Sequence, residues 1–353
     1  MRSTSVAVGL MSMALGCAVD VDLSETTSAI KKQPGDCETY GCGGNSPEAE
    51  GKLFWAQHEL GLPNNEGIRI QSFAQKIGTT WHEYRPDVLD GMLLARDKIT
   101  NTIILKGSQL VGSRFILEDT IDHNHYYVTV AAVGETPMWA QRPWPGKQSP
   151  DYELSYYSDT NPLRRNLCKA AGTPTGDTMN PFRAVLFDDD RVDPDGLSFG
   201  PEEADWFTIG CAGSALAKMH LTGNTKAGGN IVGAKTLVTE RTGFLKMLTS
   251  DYCGTGHAFT VAKMPLHYRD VYGHMSSVAI NEEIEGRWDK TGAICVGKPR
   301  AEASPTTLSI ATFGYEIDDE LAEFGCTLPP PCAPPLYATH YPYNGAYVIS
   351  TNY

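Results

Sequence analysis

NTIILKGSQL (101–110), SRFILED (113–119), HYYVTVAAV (125–133) and YELSYYSD (152–159) decide the fold. Each run is rich in β-branched and aromatic residues. Gly107, Gly112, Asn124, Gly134 and Pro143–Pro145 interrupt them as turn-formers. Such runs suit a pleated, half-buried surface, and their spacing predicts an antiparallel meander forming a sandwich or small barrel. Leu105-x-Gly107 followed by Leu110-x-Gly112 is a two-copy near-repeat, which predicts a twisted hairpin rather than a solenoid. Just upstream, FWAQHELGLPNNEGIRIQSF (54–73) is a short mixed segment with a turn at Pro63-Asn64-Asn65.

Helical signals begin past residue 200. Asp205 is placed to cap a helix starting near Trp206 and running through FTIGCAGSALAKMHL to a stop at Gly223, with Ile209, Ala212, Leu216 and Leu221 along one face. GNTKAGGNIVGA (223–234) reads as a link. A second helix is predicted from about Lys235 to Tyr252, with Leu237, Leu245 and Leu248 inward and Gly254 as its stop. Two helices so joined pack antiparallel. The remainder, to Tyr353, is loop-rich with short strands and the proline-dense LPPPCAPP (328–335).

Composition narrows the function classes. The chain has 353 residues, 41% of them hydrophobic, enough to bury a sizeable core. Its 42 acidic against 29 basic residues give a formal charge of −13, which argues against nucleic acid and against anionic lipid surfaces. No apolar run reaches the roughly 18 residues of a membrane-spanning helix.

The amino end reads MRSTSVAVGLMSMALG (1–16): Arg2, a short apolar stretch from Val6 to Leu15, then small residues, the pattern of a secretory signal. Ala14-Leu15-Gly16-Cys17 resembles a bacterial lipobox, which implies that the Cys17 thiol carries a diacylglycerol anchor. Ala14 stands where such motifs usually have Leu, so plain signal cleavage and secretion stays open as the alternative. Ala18 and Val19, with no Asp directly after the cysteine, favour outer-membrane export by the same resemblance. Loss of the signal removes Arg2 and leaves 28 basic residues against 42 acidic, a charge of −14. Residues 17–50 then form a polar, lipid-attached tether, and 51–165 a β-rich region. Residues 166–353 form a helical-hairpin region with the loop-rich carboxy end.

There are nine cysteines. With Cys17 lipidated, Cys37, Cys42, Cys168, Cys211, Cys253, Cys295, Cys326 and Cys332 make an even set, read as disulfides in an exported chain. Cys37-x4-Cys42 alone is a weak metal signal, and no C-x-x-C pair supports zinc.

Ser250-Asp251-Tyr252-Cys253-Gly254 resembles the signature of the ADYC domain, found in exported proteins of myxobacteria and related bacteria. Phe207-Thr208-Ile209-Gly210-Cys211 with Gly213 to Lys218 is similar to that domain's first helix, Gly286 to Cys295 with Trp288 to its downstream segment, and Leu167-Cys168 to its upstream cysteine. The resemblance covers roughly residues 100–300. Position 250 is Ser where the family has Ala, on what is expected to be an exposed last turn. Family members carry a second cysteine on each helix, where this chain has Met219 and Phe244. The resemblance therefore implies a Cys211–Cys253 bridge at the open end of the hairpin, with Met219 on Phe244 in place of the missing one. Offsets of eight and nine residues, about 12 and 13.5 Å of helix, suit that pairing. The others, Cys168–Cys295, Cys326–Cys332 and Cys37–Cys42, rest on proximity and elimination. The fold class expected is α+β: an antiparallel β-rich amino-terminal part, then a disulfide-linked helical hairpin and short strands. The family implies a scaffold and an exported setting rather than a reaction.

Several residue groups suggest chemistry, and each has a plainer use. Cys253 and His257 have the spacing of a thiol and its base, but a disulfide and a loop histidine fit better. The run Asp188-Asp-Asp-Arg-Val-Asp-Pro-Asp-Gly196 with Glu202 invites calcium, yet Arg191 holds the first position of an EF-hand register and Pro194 stiffens the loop. An acidic, solvated turn is favoured, with a looser calcium site over 188–202 as the weak alternative and no cofactor otherwise expected. Asp122-His123-Asn124-His125 pairs two imidazoles at i,i+2 without a third ligand, so turn use is favoured over zinc. Trp139, Trp144, Tyr152, Tyr156 and Tyr157, and Tyr337, Tyr341, Tyr343 and Tyr347 in the tail, are candidates for carbohydrate or protein contact, or for packing. No G-x-S-x-G, H-E-x-x-H, P-loop or G-x-G-x-x-G motif appears in its required context. The reading is a non-enzymatic surface or periplasmic binding or structural protein of the cell envelope, with a secreted hydrolase of unrecognised site as the alternative.

Overall fold

The structure is a computed structural model that describes residues 56–140, 146–168, 183–193, 196–201, 203–233, 236–260, 266–271, 284–300, 317–333 and 348–351. Cys17, Cys37, Cys42, Trp144 and the four tail tyrosines lie outside the described residues. The class is α+β with an antiparallel β-rich amino-terminal part.

That part is built from β1 (Ala56–His58), β2 (Ile68–Ile77), β3 (Thr80–Leu89), β4 (Met92–Arg96), β5 (Ile103–Lys106), β6 (Arg114–Asp119), β7 (His125–Pro137), β8 (Gln148–Ser158) and β9 (Arg165–Asn166). Two later strands join them: β10 (Arg183–Asp188) and β13 (Trp206–Cys211). Between these, β11 (Val192–Asp193) and β12 (Ser198–Phe199) form a separate small pair. The eleven-stranded sheet runs β1-β13-β10-β8-β7-β6-β2-β3-β4-β5, with β9 on β8, and its pairings are antiparallel. It rolls back on itself. Val88 of β3 donates its N–H to the Glu59 carboxylate just after β1, and Leu93 of β4 donates to the Tyr152 hydroxyl on β8. The concave side closes the first core, around Ile68, Phe73, Leu93, Phe115, Val130 and Leu154.

Outside the roll lie α1 (Ala215–Leu221), α2 (Lys226–Val232) and α3 (Val238–Thr249), then β14 (His267–Asp270), β15 (Ile284–Asp289), β16 (Gly292–Val296), α4 (Ile317–Glu323) and β17 (Val348–Thr351). The last four strands pair β14-β17-β15-β16. A second core sits between the three helices, the back of β10 and this sheet, with Phe187, Leu216, Met219, Phe244, Leu248, Tyr252 and Trp288 buried in it.

Two expectations fail here. Residues 206–211 are a strand, and Asp205 is no helix cap: it sits in a turn at φ 66° and pairs with Arg85 at 2.7 Å. Every residue of β13 is buried, with Phe207 and Ile209 in the first core and α1 packed close behind Gly210, so its burial carries no period to separate strand from helix. The helix begins only at Ser214, whose side chain accepts from the Ala217 N–H. The expected link is partly a helix: Thr225 caps α2 through the Gly228 N–H, and Gly233 ends it at φ 76°.

Among the described residues the bridges are Cys168–Cys211, Cys253–Cys326 and Cys295–Cys332. The Cys211–Cys253, Cys168–Cys295 and Cys326–Cys332 pairings are therefore wrong. With Cys211 at the end of a strand, its neighbour is the chain leaving β9, not the end of α3. Met219 and Phe244 are both buried in the second core, but the helices themselves are not joined by sulfur.

Candidate functional site

The signature residues meet where α3 ends. Ser250 takes the left-handed conformation (φ 55°) and is fully buried, correcting the expected exposed last turn; its hydroxyl has no partner. The Asp251 N–H returns to the Lys246 carbonyl, closing the helix. One carboxylate then organises the exit: Asp251 accepts from Lys246 Nζ at 2.8 Å and from the N–H groups of Thr255 and Gly256, each at 2.9 Å.

Tyr252 points the other way, stacked on Trp288 at 5.3 Å between centroids. Its hydroxyl donates to Glu285 Oε1 at 2.8 Å and accepts from the Arg300 N–H at 3.3 Å. Burial, then the Glu285 charge, holds this phenol well above its ordinary range, so it stays a donor. Arg300 completes the network: Nε donates to Glu285 at 2.7 Å and Nη2 to the Met247 carbonyl at 2.7 Å, placing a cation on the carboxy end of α3. Trp288 donates Nε1–H to Ser350 on β17. Gly254 (φ 69°) has no room for a side chain, since a Cβ there would lie 1.9 Å from the Thr291 carbonyl oxygen. Cys253 is bonded to Cys326 next to α4. The five signature residues thus lock α3 to β15–β16 and to the chain beyond α4.

Other sequence candidates scatter. Cys253 is oxidised, and His257 is spent on Glu320 at 2.8 Å while stacked on Phe324. His123 contacts Glu118 and His125 contacts Asp159, so the two imidazoles do not converge. In the acidic run, Asp189 pairs with Lys226, and Asp190 forms a buried pair with Arg241 at 2.9 Å. Burial pushes the Asp188 carboxyl up to about 6. Asp195 and Glu202 lie outside the described residues, among which no group of three or more His, Cys, Asp or Glu is placed to hold a metal. Trp139 and Tyr152 are core residues.

Sequence reading missed two polar features. Ser149 Oγ lies 2.7 Å from His220 Nε2, a nucleophile–base distance, and His220 Nδ1 faces Thr225. Both are fully buried, and burial pushes the imidazole down to about 3, too weak a base for catalysis near neutrality. Gln57 lines a cavity of about 20 Å³ inside the roll among Leu93, Phe115, Leu154 and Phe207, and neither amide atom has a partner. That space suits about one water molecule. No motif could have flagged either, because each is assembled from distant strands. Glu285 and Arg300 gave no signal for the same reason.

A disulfide-stabilised α+β scaffold, whose signature carboxylate, phenol and sulfur are spent on structural contacts around a helix end, is what these features define. A family model for the ADYC domain matches residues 107–302, more than half of the chain, and the chain belongs to that family. No curated protein and no solved structure matches it.

Proposed function

We propose that this chain is an exported component of the bacterial cell envelope, anchored in the outer membrane by lipid on Cys17, that binds or scaffolds rather than catalyses. The state of its sulfur carries the reading. Six cysteines are closed in three bridges, a chemistry that persists in oxidising compartments and is rare in the cytosol. The charged, apolar and small-residue order of residues 1–16 ahead of Cys17 supports export. No helix among the described residues is long and apolar enough to cross a membrane. The hydrolase alternative draws nothing from the Ser149–His220 pair, which is sealed and weakly basic, or from Cys253, which is oxidised.

Fractionation of cells expressing the full chain tests it. Cys17→Ser should move the protein from the membrane pellet to the soluble fraction, and intact-mass measurement should show a diacylglycerol adduct lost with the thiol. Unchanged partition would remove the anchor. Cytosolic protein with freely alkylatable thiols would overturn export altogether.

A further inference from the structure

We propose that the convex face of the roll binds an acidic polysaccharide along a stripe of aromatic rings and cations. This rests on the reading of the chain as an envelope binding protein and names its ligand class. On β3, Trp81 is 40% exposed, and the Arg114 guanidinium of β6 lies 4.2 Å from its ring centre. The same guanidinium lies 5.1 Å from the Tyr127 ring on β7, which stacks on Tyr157 of β8 at 4.8 Å. Exposed Arg164 extends the row at 5.9 Å from Tyr157, and exposed Lys76 stands directly opposite Trp81 in the ladder register. Cross-strand partners share a face, so these groups form one stripe. It crosses four strand spacings, about 19 Å, the reach of an oligosaccharide rather than a single sugar.

Charge selects the occupant. The chain as a whole carries −13, which opposes a polyanion, and the stripe itself includes the half-exposed Asp159, which accepts from the Tyr127 hydroxyl at 3.0 Å. Locally Lys76, Arg114 and Arg164 outnumber it, and Arg114 has no carboxylate partner among the described residues, its hydrogen bond running from Nη1 to the Tyr157 hydroxyl at 3.3 Å. Two flanking rings hold that guanidinium flat, so little side-chain entropy is left to lose when it grips a carboxylate or sulfate. Nucleobases need open ring faces on which to stack, and here Tyr127 and Tyr157 cover each other while Arg114 lies on Trp81. A polysaccharide needs only partial ring access, such as the 40% exposure of Trp81 gives, with anions spaced along the cations.

Retardation of the intact mature protein in native gels containing polygalacturonate, dextran or single-stranded oligothymidylate tests this. Polygalacturonate should retard it, with the effect fading between low and high salt, and dextran should not. Arg114→Gln should weaken retention on the order of tenfold, with Arg114→Lys intermediate. Trp81→Ala, an exposed change that leaves the fold intact by its melting temperature, should weaken it too. Equal retention by dextran, retention by oligothymidylate alone, or no retention by any of the three overturns the proposal. So do Arg114 and Trp81 variants that bind like the parent. If such a failure comes with normal membrane fractionation, only the ligand class falls and the envelope reading stands.

Discussion

The first core, inside the roll, closes on Ile68, Phe73, Leu93 and Phe115, and the one polar side chain lining its cavity, Gln57, is unpaired. The second core borders three buried ion pairs, Lys246–Asp251, Arg300–Glu285 and Arg241–Asp190, and the bridges Cys253–Cys326 and Cys295–Cys332 close around it. A sheet rolled on itself satisfies its backbone by pairing, and its acids Glu59 and Asp151 pair with arginines that keep partial access to solvent, while the Cys168–Cys211 bridge ties the end of β13. Three short helices and short strands joined by long connections leave many chain ends to be tied, and buried charge and sulfur tie them. Buried pairs contribute little net stability, but each is costly to break. The second region should therefore be brittle to single changes where the first is tolerant.

Gly254→Ala is the severest test. The new methyl meets the Thr291 carbonyl, and the left-handed backbone disfavours it as well, so a loss above about 4 kcal/mol is expected by denaturant titration. A mild effect would mean that the α3 exit is loosely held. Arg300→Leu comes next: it strands Glu285, already fully buried with Oε2 unpartnered, and should cost about 3–5 kcal/mol. Amide exchange should then rise in α3 and β15 while β6 and β7 stay protected. Uniform exchange would erase the distinction between the cores.

Acid and base should also act through different groups. Burial pushes the Glu59 carboxyl up to about 7, above its unfolded value, so the native state binds the extra proton. Its contribution is fully present below about pH 4.5 and is lost as pH rises through 7, at most about 3 kcal/mol. Glu59→Gln should flatten the decline in stability between pH 5 and 8. His220 works in reverse: its folded value lies below the unfolded one, so stability is lost as pH falls below about 6.5 towards 3. If Glu59→Gln leaves the alkaline slope intact, the roll is not its source.

How much of this was legible follows from exposure. β6, β7 and β8 mix buried with partly exposed positions between clear turn residues, and their patterns were readable. β13 and the interior of β10 are buried on both faces, so neither shows a period, and 206–211 reads as a helix. The β2–β3 hairpin went unread, since Trp81, His82 and Glu83 project from the roll and break the apolar pattern. Of the site, the signature was visible as letters, but Lys246 lies a turn earlier on the same helix, and Glu285 and Arg300 reach it from elsewhere, each as a single charge. The disulfide pairing failed because it inherited the misread helix.

Gln57→Leu addresses the first core directly. Replacing an amide with two unpaired groups by an apolar side chain of similar length should raise stability by about 1–2 kcal/mol if the cavity is dry. A loss instead would show that a bound water satisfies the amide, and the first core would then share the polar economy of the second.

Ser250→Ala carries the smallest expected effect and bears on the signature itself. The hydroxyl is fully buried without a partner, so removing it should raise stability by about 1 kcal/mol, read as a higher denaturation midpoint at unchanged slope. Ser250→Gly separates the two costs held at this residue. It removes the same hydroxyl and also relieves the left-handed backbone at φ 55°, so it should gain at least as much as the alanine change. A gain from Gly but none from Ala would assign the cost to backbone geometry. A loss from both would mean that the hydroxyl is satisfied, and that even the least polar corner of the second region is held by a bond.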